Sequence, residues 1–358
     1  MTVETIDLRP GYEISRVIKG GWQLAGDHGP VDRSESVRDM EAFLDAGITT
    51  YDCADIYVGV EEMIGDFIAD VRRRRGAEVA SRARVHTKLV PDLGLLERVQ
   101  PADIEAIIDR SLKRLQIEQL HLVQYFWWDL ALGDPMIGME TLMRCQEKGK
   151  VAHIGVTNWD VAETQPFLDA GAELVSTQVQ YSLLDRRPEN GLTDWAAANG
   201  LKLLCYGTLA GGFLTENWLG KPDPGFAFEN RSLIKYRLII DELGPWEVFQ
   251  RLLGILKSIG GKHGVSLSSV ATRWVLDRPQ VGAAIVGART ARHLPLTLEV
   301  FDFSLDDADR AAIDGLLEGA SGPEGPVFGL ERDRSGRHGQ IMKYNLNTKP
   351  DDKVLGRG

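Results

Sequence analysis

The sequence predicts an α/β fold of the (β/α)8 TIM-barrel type, a single domain with a long loop after the seventh strand and an extended C-terminal tail. Three observations lead there. The chain has 358 residues, a length that one large barrel fills comfortably. Eight short β-rich runs alternate with amphipathic helical stretches, the pattern of repeated βαβ units and hence of a parallel sheet. Several of those runs, VAHIGV, LKLLCY and AAIVG, are apolar without alternation, as strands buried on both faces must be.

In order, the strands are RVIKGGW, ITTYDCA, RVHTKLV, HLVQYF, VAHIGVT, LVSTQVQY, LKLLCYG and VGAAIVGA. Eight in succession favour a closed barrel over an open sheet. After the first, SESVRDMEAFLDAG predicts a helix with a serine N-cap and a glycine at its end. The basic run Arg72 to Arg75 closes the next helix, where cations face the carbonyl end of the dipole, and reads as a solvated face. PADIEAIIDRSLKRL sets apolar residues at helical spacing.

After LKLLCYG, the segment from Thr208 to about Gly244 is too long for an ordinary βα connection. It carries Phe213, Trp218, Phe226, Phe228 and Tyr236 among many Gly and Pro residues. Because it leaves the C-terminal end of a strand, where barrels build their sites, it is expected to fold over a ligand rather than to form a disordered insertion. A last amphipathic helix, SLDDADRAAIDGLL, completes a barrel spanning residues 1–320. Residues 321–358 form a Gly-rich, polar tail that either wraps across the barrel mouth or packs elsewhere as an extended arm.

A hydrophobic fraction of 43% with 26% charged residues suits a globular protein with a sizeable core. Lys and Arg number 41 against 52 Asp and Glu, and the resulting net charge of −11 opposes nucleic acid and anionic membrane over most of the surface. Cys53, Cys145 and Cys205 lack CxxC spacing, so neither a zinc cage nor a disulfide framework is suggested, and a reducing cytoplasm fits. The opening MTVETIDLRPGYEIS has no apolar leader region, and no apolar run reaches membrane-spanning length. Asn230-Arg231-Ser232 matches a glycosylation sequon and is read as chance. No metal site is suggested, and the sequence carries nothing on oligomeric state.

In a barrel the C-terminal ends of several strands converge on one point. The second strand ends YDCADIY, offering Asp52 and Tyr57; the third ends HTKLV, offering Lys88. A carbonyl that accepts hydride needs a proton donor, and a phenol with an ordinary pKa near 10 is poorly matched to neutral pH. An ammonium beside it favours the phenolate, and a carboxylate paired with that ammonium keeps it charged and positioned.

Here the chain resembles the aldo-keto reductase family over nearly its whole length. The pattern Asp-x-Ala-x-x-Tyr appears as Asp52, Ala54 and Tyr57, followed by the strand-three Lys88; GVTNW supplies Asn158, QVQYSLLDR supplies Gln178 and Tyr181, and YGTLAGGFLT follows. The resemblance implies that Tyr57 is the proton donor, Lys88 its partner and Asp52 the anchor of Lys88. It implies a nicotinamide dinucleotide whose carboxamide meets Asn158 and Gln178 and whose ring stacks on Tyr206, with Gly207, Leu209 and Gly211 along the pyrophosphate and Trp22 nearby. No GxGxxG opens the chain, so the dinucleotide would lie extended across the barrel mouth. The last βα unit, AIVGARTARHL, would hold the adenosine 2′-phosphate through Gly287, Arg289 and His293, with Arg289 foremost because guanidinium suits phosphate bidentately. NADPH is therefore favoured over NADH. His293, Leu296 and Thr297 stand where the family often has Gln and then Glu-Asn, a departure that touches the adenine contacts.

The fourth strand departs further. The family typically reads LVQ-x-His-Trp, whereas this chain reads HLVQYFWWD, with Phe126 in the histidine's place. A phenyl ring cannot donate a hydrogen bond to the substrate oxygen, and losing one such donor costs on the order of 3 kcal/mol of transition-state stabilisation. Either Phe126 makes the pocket apolar while Tyr57 and Lys88 still move the proton, with Tyr125, Trp127, Trp128 and Trp22 lining a pocket for a flat hydrophobic substrate, or the reaction type changes. Tyr125 or another side chain could supply the missing donor. The leading expectation is an NADPH-dependent oxidoreductase acting on a carbonyl or secondary alcohol of a partly aromatic small molecule. The alternatives are a redox-neutral lyase or isomerase and a cofactor-sensing binding protein.

Overall fold

The computed structural model describes residues 2–25, 31–228 and 230–344. An antiparallel hairpin of β1 (Thr5–Arg9) and β2 (Tyr12–Ser15) comes first. Then follow β3 (Val17–Gly20), β4 (Thr50–Asp52), β5 (Arg84–Leu89), β6 (Leu120–Tyr125), β7 (Val151–Thr157), β8 (Leu174–Gln180), β9 (Lys202–Tyr206) and β10 (Val281–Gly287). These eight strands are parallel, neighbour one another in chain order, and close when β10 pairs with β3. All eight predicted strands are present.

Strand register brings the polar side chains to one level. Gly20 faces Asp52, Asp52 faces His86, Lys88 faces Gln124, and Thr157 faces Gln178. Side chains alternate between the two sides of a strand. On β5, Lys88 therefore points inward to Asp52 while Thr87 points outward, its hydroxyl donating to buried Glu61 at 2.6 Å.

The sequence reading did not find the hairpin, although Ile6, Leu8, Tyr12 and Ile14 alternate with polar residues around Pro10-Gly11. Leu8, Tyr12 and Ile14 pack on the interior barrel residues Ile18, Leu122, Val175, Leu204 and Ile285. Each such side chain contributes about 1.5–3 kcal/mol by leaving water. The Tyr12 hydroxyl meets His86 Nε2 at 3.0 Å, and the plug leaves the opposite end of the barrel as the open one.

The helices form the outer shell. Pro101–Leu115 buries Ile104, Ile107, Ile108 and Leu115, the spacing expected of one apolar face. The arginines at the end of Val60–Arg75 pair with Asp70, Glu41 and Asp45 on the surface. One predicted cap is corrected: the helix Arg33–Asp45 is capped by Asp32, whose carboxylate accepts from the Glu35 N–H at 2.9 Å, and no serine serves. Ser36 instead donates back to the Asp32 carbonyl at 2.8 Å.

The predicted loop after β9 is only partly a loop. Asn230, the head of the apparent sequon, accepts from the Ser232 N–H at 2.7 Å and starts an insert helix, Arg231–Leu243. Phe213 and Trp218 of the same segment stack at 4.6 Å and pack against Trp246 and Phe249. Of the two courses expected for the tail, the described part, 321–344, takes the one across the mouth. It contributes a short helix, Gly329–Arg332, and sets Tyr344 edge-on to Trp128 at 5.2 Å. The rest of the predicted tail, 345–358, lies outside the described residues.

Candidate active site

At the open end a cavity of about 700 Å³ is bounded by strand ends, the insert helix and the tail. Asp52, Tyr57, Lys88 and Phe126 all border it. The Lys88 ammonium donates to both Asp52 oxygens, at 2.8 and 2.7 Å, and to the Cys53 carbonyl at 2.8 Å. Two amides also donate to Asp52 Oδ1, Gln178 at 2.7 Å and Gln124 at 3.3 Å. Asp52 and Lys88 are both buried, and a buried pair persists only when its remaining lone pairs and protons are satisfied in this way.

Tyr57 extends the group towards the cavity. Lys88 Nζ stands 5.0 Å from the centre of its ring, and Trp22 packs on it with ring centres 4.9 Å apart. Trp22 is fixed by its indole N–H, which donates to Ser232 of the insert helix at 3.1 Å. Burial pushes the Tyr57 phenol up; Lys88 pulls it down, Asp52 pushes it up again, and the net position is about 12. Lys88 thus acts on the phenol in the expected direction, and burial outweighs it. Desolvation disfavours the phenolate by more than the ammonium favours it. Burial also pulls the Lys88 ammonium down, but Asp52 and Tyr57 more than offset it, and its net displacement is upward.

Phe126 follows β6 directly and is 3% exposed. It lies edge-on to Trp128 at 4.8 Å and to Phe328 of the tail at 5.5 Å. The Arg332 guanidinium lies 5.2 Å from its ring centre and donates to the Trp127, Trp128 and Asn158 carbonyls at 2.5, 3.0 and 3.0 Å. Strand alternation splits the predicted aromatic lining: Trp22 and Trp128 border the cavity, whereas Tyr125 and Trp127 point away from it. Tyr125 donates to the Pro135 carbonyl at 2.8 Å and Trp127 to the Leu132 carbonyl at 2.9 Å. Tyr125 therefore does not replace the missing donor.

The remaining sequence candidates are arranged along the cavity with one exception. Asn158, in a left-handed backbone conformation (φ 61°), accepts from the Tyr206 hydroxyl at 2.8 Å. Gln178 borders the cavity, yet its amide N–H is taken by Asp52. Gly207 and Gly211 have φ of +72° and +64°, which favours glycine, and a Cβ on either would come within 2.7 Å of Tyr236. Leu209, Gly287 and His293 also border the cavity; Arg289 is exposed and is not among the lining residues.

Two walls come from the segment after β9, expected to fold over a ligand, and from the tail, for which a course across the mouth was one of two expected. The insert helix supplies Arg231, Ser232, Lys235 and Tyr236; the tail supplies Phe328, Ile341, Met342 and Lys343. A buried charge cluster joins them. Arg187 donates to Asp185 at 2.6 and 2.9 Å and to Glu331 at 3.0 and 3.2 Å, and Lys235 lies 3.6 Å from Glu331. What the sequence reading missed is that the first wall is a helix, for which the apolar period of Leu233, Tyr236 and Ile240 was the available signal.

The cavity fits an extended dinucleotide. It runs from Tyr57, Asn158 and Tyr206 past the side-chain-free backbone at Gly207 and Gly211 to Ser268, Gly287 and His293. A closed eight-stranded barrel whose mouth presents a tyrosine beside a buried lysine–aspartate pair has the makings of an oxidoreductase. Residues 16–318 match the Aldo/keto reductase family. The chain belongs to that family and is an aldo-keto reductase-like NAD(P)-dependent oxidoreductase. It is 29% identical over 326 residues to the aldo-keto reductase YhdN of Bacillus subtilis (strain 168), covering 89% of this chain and 95% of that protein. Among solved structures it resembles the glycerol dehydrogenase AKR11B4 from Gluconobacter oxydans, with a TM-score of 0.72, 27% identity, and coverage of 91% of this chain and 99% of that one. The aldo-keto reductase from Klebsiella pneumoniae in complex with NADPH shares the fold, with a TM-score of 0.66 at 22% identity over 91% of this chain and 98% of that one.

Proposed function

We propose that this protein is an NADPH-dependent oxidoreductase for a carbonyl or secondary alcohol of a specialised, partly aromatic small molecule, and a member of a branch with Phe126 in place of the usual histidine. One observation carries the reading: Tyr57, next to the Lys88–Asp52 pair, borders the same cavity as Phe126, Trp128 and Phe328. Asn158, Gln178 and Tyr206 would hold the nicotinamide; Gly207, Leu209 and Gly211 the pyrophosphate; Gly287, Arg289 and His293 the far phosphate. The bound reduced cofactor would supply hydride to the carbonyl carbon. Tyr57 gives its proton to the carbonyl oxygen as the C=O bond becomes a C–O–H group, and Lys88 stabilises the phenolate left behind. A phenol held near 12 stays protonated at neutral pH, the state that reduction requires. We read residues 1–320 as the barrel and 321–358 as a C-terminal tail whose described part, 321–344, packs on it, and the protein as cytoplasmic.

Mixing purified protein, NADPH and a panel of aromatic aldehydes and ketones tests the proposal through the reduced-nicotinamide absorbance. Turnover is expected, and Tyr57→Phe should lower kcat by at least about a hundredfold. No turnover with any member, together with no effect of Tyr57→Phe, refutes it. Phe126 motivates a second, redox-neutral reading, in which a substrate is converted with no net change in that absorbance. Stoichiometric NADPH consumption excludes it.

A further inference from the structure

Lys235 is a half-buried cation in the cavity wall that the proton relay does not use. It sits on the insert helix with its ammonium 5.1 Å from the ring centre of Tyr206 and 5.7 Å from that of Phe328. Its nearest carboxylate oxygen, Glu331 Oε1, is 3.6 Å away, beyond hydrogen-bond length. That carboxylate already accepts from Arg187 at both oxygens, at 3.0 and 3.2 Å. Among the described residues, then, no acceptor lies within hydrogen-bond distance of this ammonium. Burial pulls the Lys235 ammonium down, and Glu331 offsets this only in part.

When a ligand fills the cavity this half-buried ammonium gives up water, which costs free energy unless ligand acceptors replace its hydration. Here the wall beside it belongs to the cavity, so a ligand oxygen can do so. Charge decides which kind. Arg187 and Lys235 balance Asp185 and Glu331, so a second anion beside Glu331 would leave the buried cluster with a net negative charge, whereas an uncharged oxygen leaves it neutral. The flanking ring of Phe328 suits a flat substrate body.

We infer that Lys235 is a specificity-determining residue that donates a hydrogen bond to a second, uncharged oxygen on an aromatic carbonyl substrate. This rests on the oxidoreductase reading for the identity of the reacting group, but not for the contact itself. Three probes test it: 4-(hydroxymethyl)benzaldehyde, 4-ethylbenzaldehyde and 4-carboxybenzaldehyde, each titrated by tryptophan fluorescence into protein saturated with NADP+ and each assayed for reduction with NADPH. The wild type should bind the hydroxymethyl probe at least about tenfold more tightly than the ethyl probe. Lys235→Met should abolish that difference, and Lys235→Arg, which keeps the charge beside Glu331, should restore part of it. Equal binding of the two neutral probes by the wild type overturns the inference, as does an equal loss for both in Lys235→Met or a preference for the carboxylate. Binding selectivity that depends on Lys235 without any turnover upholds the contact and refutes only the reductase activity.

Discussion

Replacing Lys88 with methionine keeps the stem and removes the charge. In the intact site, Gln178 and Gln124 both donate to Asp52 Oδ1, whereas among the described residues Lys88 is the hydrogen-bond donor to Oδ2. Lys88→Met thus leaves a carboxylate that is 4% exposed with half of its acceptor capacity unmet and its counter-charge gone. Breaking a buried pair from one side costs about 3–5 kcal/mol, a large share of a typical stability of about 5–15 kcal/mol. At roughly 2 °C per kcal/mol for a large domain, Tm should fall by about 6–10 °C. Lys88→Met/Asp52→Asn removes the orphaned charge as well, and should recover at least about 2 kcal/mol relative to the sum of the single variants. Urea unfolding followed by tryptophan fluorescence measures all four proteins. A loss below about 1 kcal/mol in Lys88→Met, or strict additivity in the double variant, would refute the view that the pair is a coupled, desolvated unit.

Other outcomes follow from the same geometry. Because the Tyr57 phenol sits near 12, the pH profile of kcat/KM for carbonyl reduction should show no fall assignable to Tyr57 between pH 7 and 10. A descending limb below pH 9 that disappears in Tyr57→Phe would contradict this. Glu331 has burial pushing it up, but Lys235 and Arg187 hold it down at about 2. Its contribution to stability is therefore present above its ordinary value near 4.5 and is lost as pH falls towards 2. Glu331→Gln should lower stability at pH 7 by about 3 kcal/mol, accelerate tryptic cleavage within 329–344, and weaken the acid sensitivity between pH 4.5 and 2. Urea midpoints at pH 7 and pH 3 check the first and last effects.

Much of the fold was legible because its signals are local. Each barrel strand announces itself within about seven residues through apolar, β-branched composition, and Pro101–Leu115 is predicted to the residue. The N-terminal hairpin was missed because its strands carry a polar residue at every second position and lack the continuous apolar composition by which the barrel strands stand out. Asp52, Tyr57 and Lys88 were found because strand ends in a barrel must converge. Tyr125 and Trp127 were misassigned to the lining because composition was read without the alternation that sends them outward.

The sequence by itself determined the number and order of the strands, the end at which the chemistry gathers, and the tyrosine–lysine–aspartate group. Only the tertiary structure decided that burial outweighs Lys88 at the Tyr57 phenol, that the Gln178 amide is engaged by Asp52, and that the segment after β9 is in part a helix. The physical reason is separation along the chain. Arg187 and Glu331 are 144 residues apart, and Gln178 and Asp52 are 126 apart. The desolvation and charge compensation that set their properties come into being only when the barrel brings them together.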